Sequence, residues 1–155
     1  MKRHLPDETA TRELARELLA ALPADTTGWI ILLEGALGTG KSTFARALIK
    51  AMGHVGAVPS PTYTLVEPYE PTGHRVYHID LYRVADEEEL RYLGWTELED
   101  GLRLVEWPDR APGLLAAADL RVRLRYAGAG RDGAIEGLSP RGQALVSEWP
   151  ANHKT

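Results

Sequence analysis

Gly35-Ala36-Leu37-Gly38-Thr39-Gly40-Lys41-Ser42 reads G-x-x-x-x-G-K-S, and its flanks decide how the chain is to be read. Trp29-Ile30-Ile31-Leu32-Leu33-Glu34 precedes it, an apolar run of strand length. Ser42 to Met52 follows, with apolar positions at helical spacing. Strand, glycine loop and helix in that order make a phosphate-binding P-loop. The glycines let successive backbone N–H groups turn inward as an anion nest. The helix adds its unpaired N-terminal donors and the positive end of its dipole. The predicted cradle is Gly35, Ala36, Leu37, Gly38, Thr39, Gly40, Lys41, Ser42 and Thr43. Lys41 is placed to reach the β- and γ-phosphates and the Ser42 hydroxyl to ligate Mg²⁺, so a nucleoside triphosphate is the expected ligand.

The rest of the composition suits one soluble domain over residues 1–155, with 44% hydrophobic and 26% charged residues. The absence of cysteine excludes disulfides and thiol-ligated metal sites. No run is long enough to span a membrane, and residues 1–8 lack the apolar core of a signal peptide, so a cytoplasmic location is expected. The net charge of −4 argues against stand-alone nucleic-acid binding through bulk electrostatics, while leaving room for a local patch.

Read outward from the loop, the pattern predicts an α/β chain: a three-layer α/β/α arrangement of the P-loop NTPase kind around a mixed sheet. Asp7 to Leu22 is an amphipathic helix capped by Asp7, with Leu14, Leu18 and Leu22 on one face and Arg12 and Arg16 on another. Val55 to Val58 is a short strand by its composition. Pro59-Ser60-Pro61-Thr62-Tyr63-Thr64 is held extended by its prolines and presents Thr62 or Thr64, either as a sensor of γ-phosphate and Mg²⁺ or as part of a plain surface loop. Tyr63 to Tyr69 and Arg75 to Asp80 flank a turn and form a hairpin. Asp86 to Gly94 is a short helix whose acids complement its dipole, followed by another turn of helix at Trp95 to Asp100. Leu102 to Pro108 is a strand, then comes a loop or short helix to Ala118. Leu120 to Tyr126 alternates, placing Arg121, Arg123 and Arg125 on one face, either solvated or facing RNA phosphate or an acidic partner. Ala127 to Gly133 is a glycine-rich turn, Ala134 to Leu138 the last strand, and Ser139 to Trp149 a helix capped by Ser139, with a frayed tail after Pro150.

Two strands end in acids. Asp80 and Glu106 both fall where an open α/β sheet places its ligands, so they compete for, or share, the Mg²⁺. Trp107 is either core or a neighbour of the nucleotide. Between Lys50 and Lys154 there is no lysine for a guanine-reading N-K-x-D motif, so ATP is preferred over GTP. A small-molecule kinase lacks its arginine-rich lid here, and a nucleotide-gated binding module remains the other alternative.

Taken together, the segments Glu8-Thr9, Leu33 to Thr43, Ser60-Pro61-Thr62-Tyr63-Thr64-Leu65-Val66, His78-Ile79-Asp80-Leu81-Tyr82-Arg83 and Val105-Glu106-Trp107-Pro108 resemble the TsaE (YjeE) family. Those are the bacterial ATPases of tRNA threonylcarbamoyladenosine biosynthesis. The resemblance runs from about residue 5 to 115; Ala36, Thr39 and Ser42 depart from the family's usual loop residues. It implies a Mg-ATP-binding protein, slow in hydrolysis, that acts on the TsaB–TsaD heterodimer and on tRNA indirectly. By matching position, Lys41, Asp80, Glu106 and Thr62 are its catalytic set and Ser42, Glu106 and Asp80 its metal set. Arg83 is the candidate for an arginine finger in cis.

Overall fold

The computed structural model describes residues 1–62 and 64–149. The chain runs β1 (Lys2–Leu5), α1 (Glu8–Ala21), β2 (Ile30–Glu34), α2 (Lys41–Ala51), β3 (Val66–Tyr69), β4 (Val76–Asp80), α3 (Glu89–Tyr92), β5 (Leu102–Glu106), α4 (Leu114–Ala117), β6 (Leu120–Ala127), β7 (Gly130–Gly137) and α5 (Pro140–Ser147). Short 3-10 turns lie at Trp95–Asp100 and Pro108–Arg110. The strands form one seven-stranded sheet in the order β1-β7-β6-β2-β5-β4-β3. Its centre is parallel, β6‖β2‖β5‖β4, and its margins are antiparallel, which makes the sheet mixed as expected.

Alternation along the buried strands builds two cores. Ile31 and Leu33 of β2 face α1 and α2, meeting Leu14, Leu18, Phe44 and Leu48. Ile30 and Leu32 face the opposite layer, with Ile79, Val105, Leu90, Leu98 and Leu114. Both faces of β2 are therefore covered, and its residues read as an unbroken apolar run. Each fully buried leucine in the first core is worth about 2–5 kcal/mol on truncation to alanine. Among the described residues no helix is long and apolar enough to cross a membrane.

Several expectations are corrected. The chain opens with a strand: β1 pairs antiparallel with β7 and supplies the last rung of the sheet. The supposed turn at 127–133 is mostly strand. The reversal is confined to Gly128 (φ +60°) and Ala129, and β7 begins at Gly130. Its glycines serve close packing: a Cβ on Gly133 would stand 3.0 Å from Leu5 and 3.3 Å from Leu14. Val55 to Val58 is not a strand. Gly53 and Gly56 sit at φ +116° and +111°, so the backbone keeps turning, while Val58 still buries its side chain. The hairpin strand starts at Val66 because Leu65 takes φ +69°; Tyr63, placed in that strand by its sequence, lies outside the described residues, as does the tail from Pro150. Pro68 sits in β3, the edge strand, where its missing N–H costs no ladder bond. The 86–94 helix shrinks to Glu89–Tyr92, with Asp86 accepting from the Glu88 N–H instead of capping a longer helix.

Candidate functional site

Three parallel strands end along one rim of the sheet. β2 runs out into the glycine loop, β4 ends in Asp80 and β5 in Glu106, and the last two stand opposite each other in register. Ligands of open α/β sheets collect at this carboxyl rim. A cleft of about 630 Å³ opens there, lined by Leu37 to Thr43, Ser60, Thr62, Asp80, Tyr82, Glu106 and Trp107 on one side and by Leu5 to Glu8, Thr11 and Ala129 to Arg131 on the other.

The loop is tightly braced. Gly38 (φ +80°) and Gly40 (φ +110°) carry the left-handed turns that curl it, and α2 begins at Lys41 directly after. Thr39 donates its hydroxyl to the Ala36 carbonyl at 2.8 Å. Lys41, 5% exposed, donates from Nζ to the carbonyls of Gly35 (2.6 Å) and Ala36 (3.1 Å). Its Nζ also lies 4.1 Å above the centre of the Trp107 ring. Burial pulls the Lys41 ammonium below the usual lysine range, with Glu106, Asp80 and Asp109 pulling the other way. Gly35 and Ala36 do not line the main cleft. They border a neighbouring hollow with Glu34 and Arg123, and contribute through their carbonyls.

The acids divide the rim between them. Ser42 Oγ donates to both carboxylate oxygens of Glu106, at 3.2 and 3.3 Å, whereas Thr62 Oγ1 donates to Asp80 Oδ2 at 3.2 Å. Ser60 Oγ lies 2.8 Å from Thr62 Oγ1, and the Tyr82 N–H fixes the other Asp80 oxygen at 2.9 Å. Among the described residues no three acids or histidines gather into a cation cage. A divalent ion would therefore bind by one hydroxyl and one or two carboxylates and take its remaining oxygens from phosphate and water. That donor set suits Mg²⁺, and the residues present fit it.

The sequence matches the family described as "Threonylcarbamoyl adenosine biosynthesis protein TsaE" over residues 5–133. The chain belongs to the TsaE family. It is 35% identical over 154 residues to the tRNA threonylcarbamoyladenosine biosynthesis protein TsaE of Haemophilus influenzae, covering 96% of this chain and 97% of that one. It is 41% identical to the Aquifex aeolicus TsaE over 68% of this chain and 75% of the relative. The crystal structure of Bacillus subtilis YdiB superposes with a TM-score of 0.77 at 25% identity, covering 96% of this chain and 93% of that one. The family match extends past residue 115, through β6 and into β7, beyond the motifs that carried the resemblance.

This TsaE chain brings Lys41, Ser42, Thr62, Asp80 and Glu106 to one rim. Two contributors, His78 and Arg131, were not anticipated, while Trp107 takes the cleft-side one of its two expected places. His78, 1% exposed, donates from Nε2 to Glu106 Oε2 at 2.5 Å. It sits two residues before Asp80 on β4, so the period of two already put it on the acid's face. Arg131 of β7 donates to the Gly38 carbonyl at 3.2 Å and stacks on Tyr126, whose hydroxyl binds the Leu37 carbonyl. No local signal marks Arg131, because only the β6–β7 register brings it to the loop. Trp107 takes φ +58°, costly for a bulky side chain, and packs against Tyr82 at 5.0 Å between centroids. Arg83 does not line the cleft. Of the arginine stripe, Arg121 is paired with Glu136 and Glu34, and Arg123 with Glu34, so the solvated-face expectation becomes a neutralised one.

Proposed function

We propose that this chain binds Mg-ATP in the rim cleft and hydrolyses it slowly in the cytoplasm, and that hydrolysis acts on the TsaB–TsaD heterodimer during threonylcarbamoyladenosine modification of tRNA. The observation that carries the reading is the pairing of Ser42 with Glu106 and of Thr62 with Asp80 beside a P-loop lysine. Bound Mg²⁺ would neutralise charge on the β- and γ-phosphate oxygens. Ser42 and Glu106 would hold it, with Asp80 beside them, and His78 holds the Glu106 carboxylate in place. The loop N–H groups from Leu37 to Thr43 and the Lys41 ammonium bind the phosphates, while Gly35 and Ala36 brace Lys41 through their carbonyls. Thr62, tied to Asp80, orients the γ-phosphate end, and Asp80 can fix the attacking water through its free lone pairs. Pro59 and Pro61 stiffen the segment that carries Thr62.

Arg131 is the one arginine among the described residues lining the cleft, and it is engaged with Gly38 rather than with Thr62 or Asp80. Among the described side chains of the cleft, that leaves Lys41 as the one cation to join the bound Mg²⁺ in meeting the charge that develops at the γ end. An added cation there contributes about 10³- to 10⁵-fold in other P-loop hydrolases, so turnover is expected to be slow alone and faster with the partner. The test is ATP turnover with and without TsaB–TsaD and tRNA, in the wild type and in Glu106→Ala and Asp80→Ala. Undiminished turnover in both variants, or none of the expected response to the partner, overturns the proposal.

A further inference from the structure

A second, smaller groove of about 430 Å³ lies between α1 and α2. Arg12 and Arg16 stand one turn apart on α1, and Arg46 and Lys50 one turn apart on α2; all four line it. The floor is Ala47 and Ala51. Glu8 is its one lining carboxylate, at 3.4 Å from Arg12. Arg46 donates from Nε to the Val58 carbonyl, which leaves its outer nitrogens without a bond among the described residues. Among the described residues, the Arg16 and Lys50 side chains have no ion pair or hydrogen bond, and both residues are exposed.

Four cations against one acid is a concentrated positive patch on a chain whose net charge is −4. Like charges one helical turn apart repel, by a few tenths of a kcal/mol per pair. The arginines of β6 show the other outcome, in which Glu34 and Glu136 neutralise them. A solvated helix face explains any one of these side chains. It does not explain why both rows converge on one groove with so little acid.

We infer that this groove binds the phosphodiester backbone of tRNA. Three of its four cations are arginines, whose guanidinium forks match phosphate oxygens two at a time. Protein interfaces anchor on buried aromatic or large aliphatic side chains, and this groove offers two alanines, low enough to let a phosphate chain approach. RNA is chosen over other polyanions because the relatives are named for a tRNA modification; to that extent the inference rests on the proposed pathway, and it names a direct contact that pathway does not require. Glu8 and Thr43 line both this groove and the nucleotide cleft, so the two sites adjoin.

The test is fluorescence anisotropy of an unmodified tRNA transcript titrated with the full chain across a salt series, alongside binding of a fluorescent ATP analogue. The double variant Arg16→Glu/Lys50→Glu removes two phosphate contacts without touching the cleft. It is expected to bind tRNA at least about tenfold more weakly at ~50 mM salt, with a log–log salt slope shallower by about two. Lys2→Glu/Arg91→Glu makes the same change of net charge away from the groove and is expected to bind as the wild type. Equal loss in both variants, no loss in either, or a wild type that ignores tRNA at low salt overturns the inference and returns the groove to an acidic protein surface. Groove-dependent tRNA binding in a chain that fails to bind ATP would support the groove while overturning the nucleotide reading.

Discussion

Replacing Gly35 by alanine tests the P-loop where an added Cβ would run into the backbone of a neighbouring strand. A Cβ there would lie 2.5 Å from the Leu124 carbonyl oxygen and 2.5 Å from Thr39 Oγ1. Comfortable contact needs the atoms to part by roughly 1 Å. The Leu124 carbonyl belongs to β6, which is laddered to β2 on one side and β7 on the other, so it cannot yield. Thr39 can swing away only by giving up its bond to the Ala36 carbonyl. The loop must therefore move. Overpacking of this kind costs about 1–3 kcal/mol, and each kcal/mol lowers Tm by about 2–4 °C for a chain of this size. A shift near 1 Å at a phosphate cradle costs about 10²-fold in activity. Binding of a fluorescent ATP analogue is expected to weaken at least about tenfold, with a thermal melt lowered by several degrees. Gly73→Ala is the control, because a Cβ there meets nothing within 4 Å and only its φ of +81° is strained; it should lower Tm while leaving ATP affinity untouched. Wild-type affinity in Gly35→Ala would refute the reasoning, since the contact is with backbone and not with a yielding side chain.

His78→Ala should strip Glu106 of its imidazole donor, raising the Mg²⁺ concentration needed for half-maximal turnover, while His78→Gln, which restores an N–H, should recover part of the loss; a Mg²⁺ titration indistinguishable from the wild type would rule out the positioning role. Asp119, 4% exposed, ties the Ile30 N–H, Ser139 and Arg141 together ahead of β6. Burial pushes its carboxyl up, but the hydrogen bonds from Arg141, Ile30 and Ser139 together outweigh that and hold it below its ordinary 3.8. A depressed carboxylate stabilises the fold above its unfolded pKa and loses that contribution as pH falls through the folded value. Asp119→Asn should therefore cost about 1–3 kcal/mol near neutrality, and denaturant melts should show the gap from wild type closing below pH 3.8.

Legibility followed the range of the interactions. The P-loop, its strand and its helix are contiguous, so glycine conformation and periodicity over some twenty residues sufficed. Asp80 and Glu106 were found because each closes an apolar strand, but their division of labour was not: only the β4–β5 register and the neighbours Thr62 and Ser42 separate them. Tertiary packing overrode local signals elsewhere. Gly130-Arg131-Asp132-Gly133 reads as a turn, and it is strand because it pairs with β6 on one side and β1 on the other, the glycine at 133 leaving the room that Leu5 and Leu14 fill. β1 carries two basic residues and a histidine, and only pairing with β7 makes it a strand. The arginine alternation on β6 was visible; the acids that neutralise it come from β2 and β7, beyond any local window.

The bracing of the P-loop has a consequence for how the molecule is made. The side chains that hold the Leu37 and Gly38 carbonyls, Tyr126 and Arg131, lie 89 and 93 residues further along the chain. During synthesis the loop leaves the ribosome long before its clamps exist, and the sheet edge behind them waits for β1 and β7, more than a hundred residues apart, to meet. Pairings this distant in sequence form late and slowly. A nascent chain in which Arg131 has not yet emerged would carry the complete glycine motif and still be unable to keep its shape, so the braced loop is expected to form abruptly, once β7 is made.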